Sequence, residues 1–415
     1  MELPRQVVYV LQKIRDSAGQ AFLVGGAVRD MLLARDTLDY DIASSLLPDA
    51  IEALFKNYKT YGVGKRFGTI GVLIDDLSIE VTTMRSEDKY TDSRHPDNVH
   101  YVDDIEKDLS RRDFTINAIA YNPLTSSRLI DPFKGKADLE DGIIKTVGDA
   151  GSRFKEDPLR MLRALRFASQ LGFKLHSSTY NAIVDYHSLL NMISRERIRD
   201  ELTKLLTCQR PDLGLLLAQG TGISDMILPL SNRLVLTPVN LETIRLIGPT
   251  LALRLSALVY YSYADKRDDT ANMLKDLRYE KALISQVSKL VGGYSTLIEA
   301  GANPYNMRRL MGNLGRDNTA LLLSWFMHES HANSSKDMQS KYNHLNKLMT
   351  KIIRDNDPVD FKDLAISGSD VLALGIGIEK PELVGKALEA AYDLVLHKPH
   401  LNNKRSLTEM MKQYK

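Results

Sequence analysis

Residues 23–43, LVGGAVRDMLLARDTLDYDIA, run from an apolar strand through a Gly25-Gly26 turn into a helix and end on two aspartates, Asp39 and Asp41. In an extended chain the side chains at i and i+2 share a face, so both carboxylates point one way while Tyr40 and Ile42 point the other. Carboxylates this close repel each other unless a cation lies between them. Hard oxygen ligands suit Mg²⁺, which takes one or two protein carboxylates and completes its shell with substrate phosphates. An isolated D-x-D reads equally as an acidic strand end, because short motifs match by chance. The glycine turn ahead of it lets backbone approach an anion, and the helix that follows presents free N–H groups and Arg29. Arg29 can grip a phosphate with two donors. Turn and aspartates together specify a metal-plus-triphosphate geometry, in which one metal would acidify an attacking hydroxyl and a second would hold the triphosphate.

Outward from this stretch, AFLVGG, YDIAS, TIGVLI, SIEVTTM and SRLIDP read as strands, flanked by helices at ALFKNY and at the segment starting DFTINAIAY. The natural assembly is a mixed α+β domain with a central sheet. Past about residue 150 helical spacing takes over, in DPLRMLRALRFASQLG, SSTYNAIVDYHSLLNMI and SRERIRDELTKLL. The expected layout is an α+β head over 1–145, a helical neck over 146–210, a helical body over 211–330 and a helical tail over 331–415. SSKDMQSKYNHL and IIRDNDPVDFKDLAISGSD, the latter broken by Pro358 and Gly368, are expected to connect helices.

At 415 residues the chain exceeds one typical core, and its 43% hydrophobic and 26% charged content is that of a globular protein. A single cysteine, Cys208, excludes an internal disulfide framework, fits a cytoplasmic location and reads as a packed side chain. The first twenty residues read as an amphipathic helix rather than a signal peptide, and no apolar run reaches membrane-spanning length. The net charge of +2 conceals a division: residues 1–150 hold 19 Lys/Arg against 25 Asp/Glu, so the remainder carries +8. A polyanionic partner is drawn to the later part, whereas the acidic first part needs metal to approach phosphates.

Three further stretches carry chemistry. Glu80, in SIEVTTM, is either a third carboxylate or a solvent-facing strand residue. In LSRRDFTINAIAY, Arg112 can reach phosphate and Asp113 can accept from a ribose hydroxyl, or Asp113 caps a following helix. In FKEDPLRMLRALRFASQLGF, Asp157 before Pro158 reads as a helix N-cap, and Asp157 with Arg160 as an i, i+3 surface pair. The sharper reading is base recognition. An acceptor beside a donor complements the Watson–Crick edges of cytosine and adenine and mismatches those of guanine and uracil. Arg163 and Arg166 continue the basic series, though three-residue steps drift around a helix and do not by themselves place Arg166 on the face of Asp157.

Taken together, LVGGAVRDMLL with DYDIA, IEVTTMR, RRDFTINAIAY, EDPLRMLRALRF and SRERIRDELTKLL resemble the tRNA nucleotidyltransferases, the class II CCA-adding enzymes and their bacterial poly(A) polymerase relatives, of the bacterial type without an HD domain. The closing LAISGSDVLALGIG and LNNKR look like the tail of the same branch. The resemblance implies a DNA polymerase β-like nucleotidyltransferase head with Asp39 and Asp41 as catalytic, Mg²⁺-binding residues. It implies Gly26, Arg29 and Arg112 at the phosphates and sugar, and Asp157 and Arg160 as the template selecting CTP and ATP, with Arg163 and Arg166 beside it. Gly25, Glu80, Arg94, Asp113 and Asn117 are further members of the implied site. Neck, body and tail would grip the acceptor and T arms of tRNA by shape and backbone. The segment MRSEDKYTDSRHPDNVHYVDDIE fills the region that CC-only enzymes lack, so A addition is expected. The chain departs from the family pattern at His95, where a second arginine commonly follows Arg94, and at Leu38, where glycine is common.

The expected activity is template-independent addition and repair of the 3′-terminal CCA of tRNA from CTP and ATP, with release of pyrophosphate. The alternatives are an A-adding enzyme working after a CC-adding partner, a poly(A) polymerase, and a noncatalytic RNA-binding protein on the same scaffold.

Overall fold

The apolar run before the glycine turn forms strand β1 (Ala21–Val24), buried at all four positions, hence apolar without alternation. Strands β2 (Tyr40–Ser44), β3 (Lys59–Tyr61), β4 (Thr69–Ile74), β5 (Leu77–Thr83), β6 (Ala120–Tyr121) and β7 (Leu129–Ile130) join it in one sheet of order β3-β4-β5-β2-β1-β6-β7. Every pairing is antiparallel except β2 with β5, so the sheet is mixed, as expected. The computed structural model describes residues 3–37, 39–62, 64–65, 68–87, 99–126, 128–227, 236–262, 269–299, 301–378 and 380–414. They belong to two compact units, 1–231 and 232–415.

Helix Arg5–Asp16 lays Val7, Val10, Leu11 and Ile14 against β1 and β2, each side chain fully buried. At roughly 1.5–3 kcal/mol apiece these positions anchor that face of the sheet. The β4–β5 hairpin turns through Asp75 and Asp76, both at positive φ (47° and 66°), the geometry that suits the twist of a two-residue hairpin.

Three expectations need correction. DFTINAIAY is not a helix: Thr115–Asn117 make one 3-10 turn and Ala120–Tyr121 join β1 as strand β6. The run from Phe114 to Ala120 is buried throughout, its Thr115 and Asn117 included, and a short, fully buried run fits a strand as readily as a helix. The helix expected at ALFKNY lies earlier, at Pro48–Leu54, where proline occupies the first turn. SSKDMQSKYNHL is not a connector but the start of helix Lys336–Arg354, opened by the Ser335 hydroxyl accepting from the Met338 amide. Its polarity reflects exposure, since only Leu345, Met349 and Ile352 are buried, on one face.

The second unit is built of helices and short 3-10 turns among its described residues. At its core Trp325 stacks on Tyr294 at 3.7 Å with 9° between the rings, and Tyr260 and Tyr261 meet Trp325 edge-on. A second cluster near the end gathers Ile366, Val371, Ala387, Ala391, Val395, Leu407 and Met411. No helix among the described residues is long and apolar enough to cross a membrane.

Candidate active site

The two walls of a cleft in the first unit are set by the sheet and by one long helix. On the sheet side, β2 pairs with β1 at Val24↔Asp41 and with β5 at Asp41↔Glu80. Residues in register on neighbouring strands point to the same face, so Asp41 and Glu80 share one. Asp39 lies just before β2 and is exposed. Its amide donates to the Thr37 hydroxyl at 3.4 Å, and the Tyr40 hydroxyl donates to the Thr37 carbonyl at 3.1 Å, which fixes the approach to the strand. Burial, then the charges of Asp39 and Glu80, push the Asp41 carboxyl up to about 6 against the pull of Arg112.

The floor is the glycine turn. Gly25 sits at φ 71°, and a Cβ there would lie 3.2 Å from Arg112 Nη1 and 3.7 Å from Asp41 Oδ2. Glycine therefore answers both a left-handed backbone and the approach of two functional side chains. Arg112 is held by Asp108 at 3.0 Å, and Asp108 also holds Arg111 at 2.8 Å and the Arg85 amide at 3.3 Å. Burial would raise Asp108, but the guanidinium groups of Arg111 and Arg112 outweigh it and lower its pKa. Arg112 Nε is buried with no hydrogen-bond partner among the described residues, an unspent donor beside the acidic wall.

The opposite wall is helix Leu159–Leu171. Arg163 binds Asp113 through Nε and Nη2 at 2.8 and 2.6 Å, and Arg166 binds Glu201 at 2.7 Å and Gln170 at 3.2 Å. Arg29 makes two 2.9 Å bonds to Asp30 and a third to Asn117 Oδ1. Burial would raise Asp113, yet Arg163 brings it down to about 2, and Asp113 in turn raises the pKa of Arg163. Arg166 is lowered by burial despite Glu201.

These walls enclose a cleft of about 500 Å³ lined by Gly25, Gly26, Arg29, Asp39, Asp41, Arg112, Asp113, Asn117, Arg163 and Arg166 among others. Glu80 is exposed on the face of Asp41 but is not among the lining residues. Asp113 does not cap a helix: its carboxylate accepts from the Phe114 amide and from Asn117 and Arg163. Asp157 and Arg160 stand outside the lining, and their side chains take other partners than each other. Asp157 ends helix Ala150–Glu156, accepts from the Leu159 amide at 3.1 Å and takes both contacts of Arg197. Arg160, 8% exposed, binds Glu156 at 2.7 Å and the Arg111 carbonyl at 3.3 Å. Arg94, His95 and Leu38 lie outside the described residues.

Among the described residues no three His, Cys, Asp or Glu side chains converge as a metal site. The pair Asp39 and Asp41 remains, a donor set that fits a cation whose other ligands are phosphate and water. Burial first, and the neighbouring charges of Asp39 and Glu80 second, disfavour the ionised form of Asp41.

The sequence motifs pointed to the arginines and not to what holds them. Asp30, Asp108, Glu201 and Phe167 all lie within or beside quoted motifs. Their signal is adjacency, a carboxylate or ring at i±1 to i±4 from an arginine, except for Glu201, whose partner is 35 residues away.

Residues 21–145 match the family model of the poly A polymerase head domain, and residues 172–234 match a probable RNA and SrmB-binding site of polymerase A. The chain is 34% identical over 417 residues to a CCA-adding enzyme of Limosilactobacillus reuteri, covering 97% of this chain and 95% of that one. It is 36% identical over 298 residues to the CCA-adding enzyme of Lactobacillus helveticus, covering 72% and 73%. The solved Bacillus stearothermophilus CCA-adding enzyme in complex with CTP superposes with a TM-score of 0.78 at 28% identity, over 100% of this chain and 98% of that one.

Proposed function

The chain belongs to the family of class II CCA-adding enzymes, and from that premise we propose that it adds and repairs the 3′-terminal CCA of tRNA, using CTP and ATP without a nucleic-acid template. The tRNA 3′-hydroxyl attacks the α-phosphate in line, a new phosphodiester bond forms, and pyrophosphate leaves. The observation that carries this reading is the cleft itself: Asp39, Asp41, Arg29, Arg112, Arg163 and Arg166 line one cavity of about 500 Å³ together with the glycine turn.

Each residue has work that its surroundings suit. Arg29, Arg112, Arg163 and Arg166 receive the triphosphate, and the buried, unpartnered Nε of Arg112 is a donor waiting for an oxygen. Gly25 and Gly26 let the phosphates come close to backbone. Asp113 and Asn117 face the sugar. The nucleotidyltransferase family depends on divalent metal, and we assign Mg²⁺ to Asp39 and Asp41, with Glu80 contributing its charge. When bound it acidifies the attacking hydroxyl and neutralises the departing pyrophosphate.

Asp157 and Arg160 select the base, and to do so each must exchange its present partner, Arg197 or Glu156, for a base edge. The head spans 1–145, the neck 146–210, the body 211–330 and the tail 331–415. The later, basic part of the chain holds the acceptor and T arms, and the protein works in the cytoplasm.

Incubation with tRNA ending before CCA, with CTP alone, ATP alone and both, tests the proposal. Addition of CC, then of a single A when both are present, is the expected result. Failure to add C would leave A-only addition, and long A tracts would mean polyadenylation. Tight tRNA binding with no metal-dependent transfer would mean a noncatalytic RNA-binding protein.

A further inference from the structure

Three of the cleft's arginines come from two elements, yet their guanidinium carbons all lie over one ring. From the centroid of Phe167, Arg166 is 4.1 Å away, Arg29 5.2 Å and Arg163 5.5 Å. The ring is 4% exposed and lines the cleft. Phe114, fully buried, braces it edge-on at 5.7 Å and 82°. Phe114 belongs to the segment that supplies Arg112 and Asp113, so the ring is braced by an element other than its own helix.

Three like charges around one ring repel each other, and each is offset by its own carboxylate: Asp30, Asp113 or Glu201. Those carboxylates sit on three separate elements and cannot by themselves keep the guanidinium groups together. What the three arginines share is the ring of Phe167, whose electron-rich π system attracts cations within about 6 Å of its centroid. A leucine at 167 would keep the position apolar, though smaller, and offer no such face.

We propose that Phe167 is a positioning residue for nucleotide binding, whose π face gathers Arg29, Arg163 and Arg166 into a preformed cradle for the triphosphate. The inference rests on the reading of this cleft as the nucleotide site. A ligand then meets donors already ordered, and the entropy of assembling three long side chains is not spent at each binding event.

Replacement of Phe167 by 4-fluoro-, 3,5-difluoro- and 3,4,5-trifluorophenylalanine tests it, because fluorine drains the ring face while leaving its shape nearly unchanged. The readouts are the Kd for inorganic tripolyphosphate by calorimetry, KM for CTP and for ATP, KM for tRNA, kcat and the thermal midpoint. We expect tripolyphosphate Kd and both nucleotide KM values to rise stepwise, to about tenfold at three fluorines. Thermal midpoint, KM for tRNA and kcat should hold. Phe167→Tyr should keep near-native affinity, and Phe167→Leu should lose it even where its thermal midpoint is native. A flat tripolyphosphate Kd across the fluorine series, or no tripolyphosphate binding by the unmodified protein, overturns the proposal. Unmodified protein that binds tripolyphosphate and yet transfers no nucleotide to tRNA overturns the assigned activity instead, so the two failures are distinct.

Discussion

On the sheet wall of the cleft, burial and then the charges of Asp39 and Glu80 drive Asp41 up to about 6. On the helix wall the carboxylates of Asp113 and Glu201 each hold an arginine, and Asp113 falls to about 2. The same functional group thus meets opposite fields within one cavity. Ionised Asp41 is a cost to the fold, whereas ionised Asp113 is a support. On the proposed reading the first wall would take a cation, while the second, its arginines already paired with carboxylates, would receive an anion. Keeping the two unlike would let one cleft hold metal and triphosphate side by side, as proposed.

The largest effect should come from removing the charge-deficient wall. Asp39→Ala or Asp41→Ala should cut nucleotide incorporation by about a thousandfold or more, the scale of several kcal/mol of charge stabilisation. Thermal stability should not fall, since repulsion is relieved; incorporation at wild-type rates would refute the assignment. Breaking the opposite wall should act on the fold. Asp113→Ala strands the buried end of Arg163 and should lower unfolding free energy by about 2–3 kcal/mol, below the range for a fully buried pair because a third of the Arg163 side chain is exposed. Chemical denaturation checks this, and an unchanged midpoint would show that the pair is slack.

Acid should reproduce part of that loss. Because the folded pKa of Asp113 lies below its ordinary value of 3.8, its contribution is complete above about pH 5. It fades as pH falls through 4 towards 2, by about 2 kcal/mol in all. Asp108, also lowered, acts in the same direction. Denaturation curves from pH 6 to pH 2.5 should steepen in acid for the native chain and flatten for Asp113→Asn. The smallest change is expected at the edge of the helix wall: Asp157→Ala should relax rejection of UTP and GTP about tenfold. Undiminished rejection would return Asp157 to a cap that binds Arg197.

Much of the chemistry was legible in sequence because it depends on short-range order. The glycine turn, D-x-D and arginine spacing each fix relative positions over a few residues, and the cleft brings them together. What pattern could not carry was context. DFTINAIAY is too short and too fully buried for its pattern to separate strand from helix until β1 is there to pair with it. SSKDMQSKYNHL is polar because its helix is mostly exposed, which composition alone cannot separate from a loop. Phe167 was visible as one more apolar helix position, and only three dimensions place Arg29 over it.

The lone parallel pairing in the sheet also bears on the order of assembly. Strands β3, β4 and β5 follow one another and pair locally, whereas β2 must wait for β5 to come back alongside it before Asp41 meets Glu80. Contacts with long intervening chain form late, because the entropy of closing the loop is spent before the contact returns anything. The hypothesis is that a nascent or refolding head carries β3–β5 as an ordered meander before it owns an acidic face. Pulse-labelled hydrogen exchange should find β4 and β5 amides protected ahead of those in β2, and simultaneous protection would refute it. A half-made head would then have little hold on metal or nucleotide, so the site comes into being only with the finished sheet.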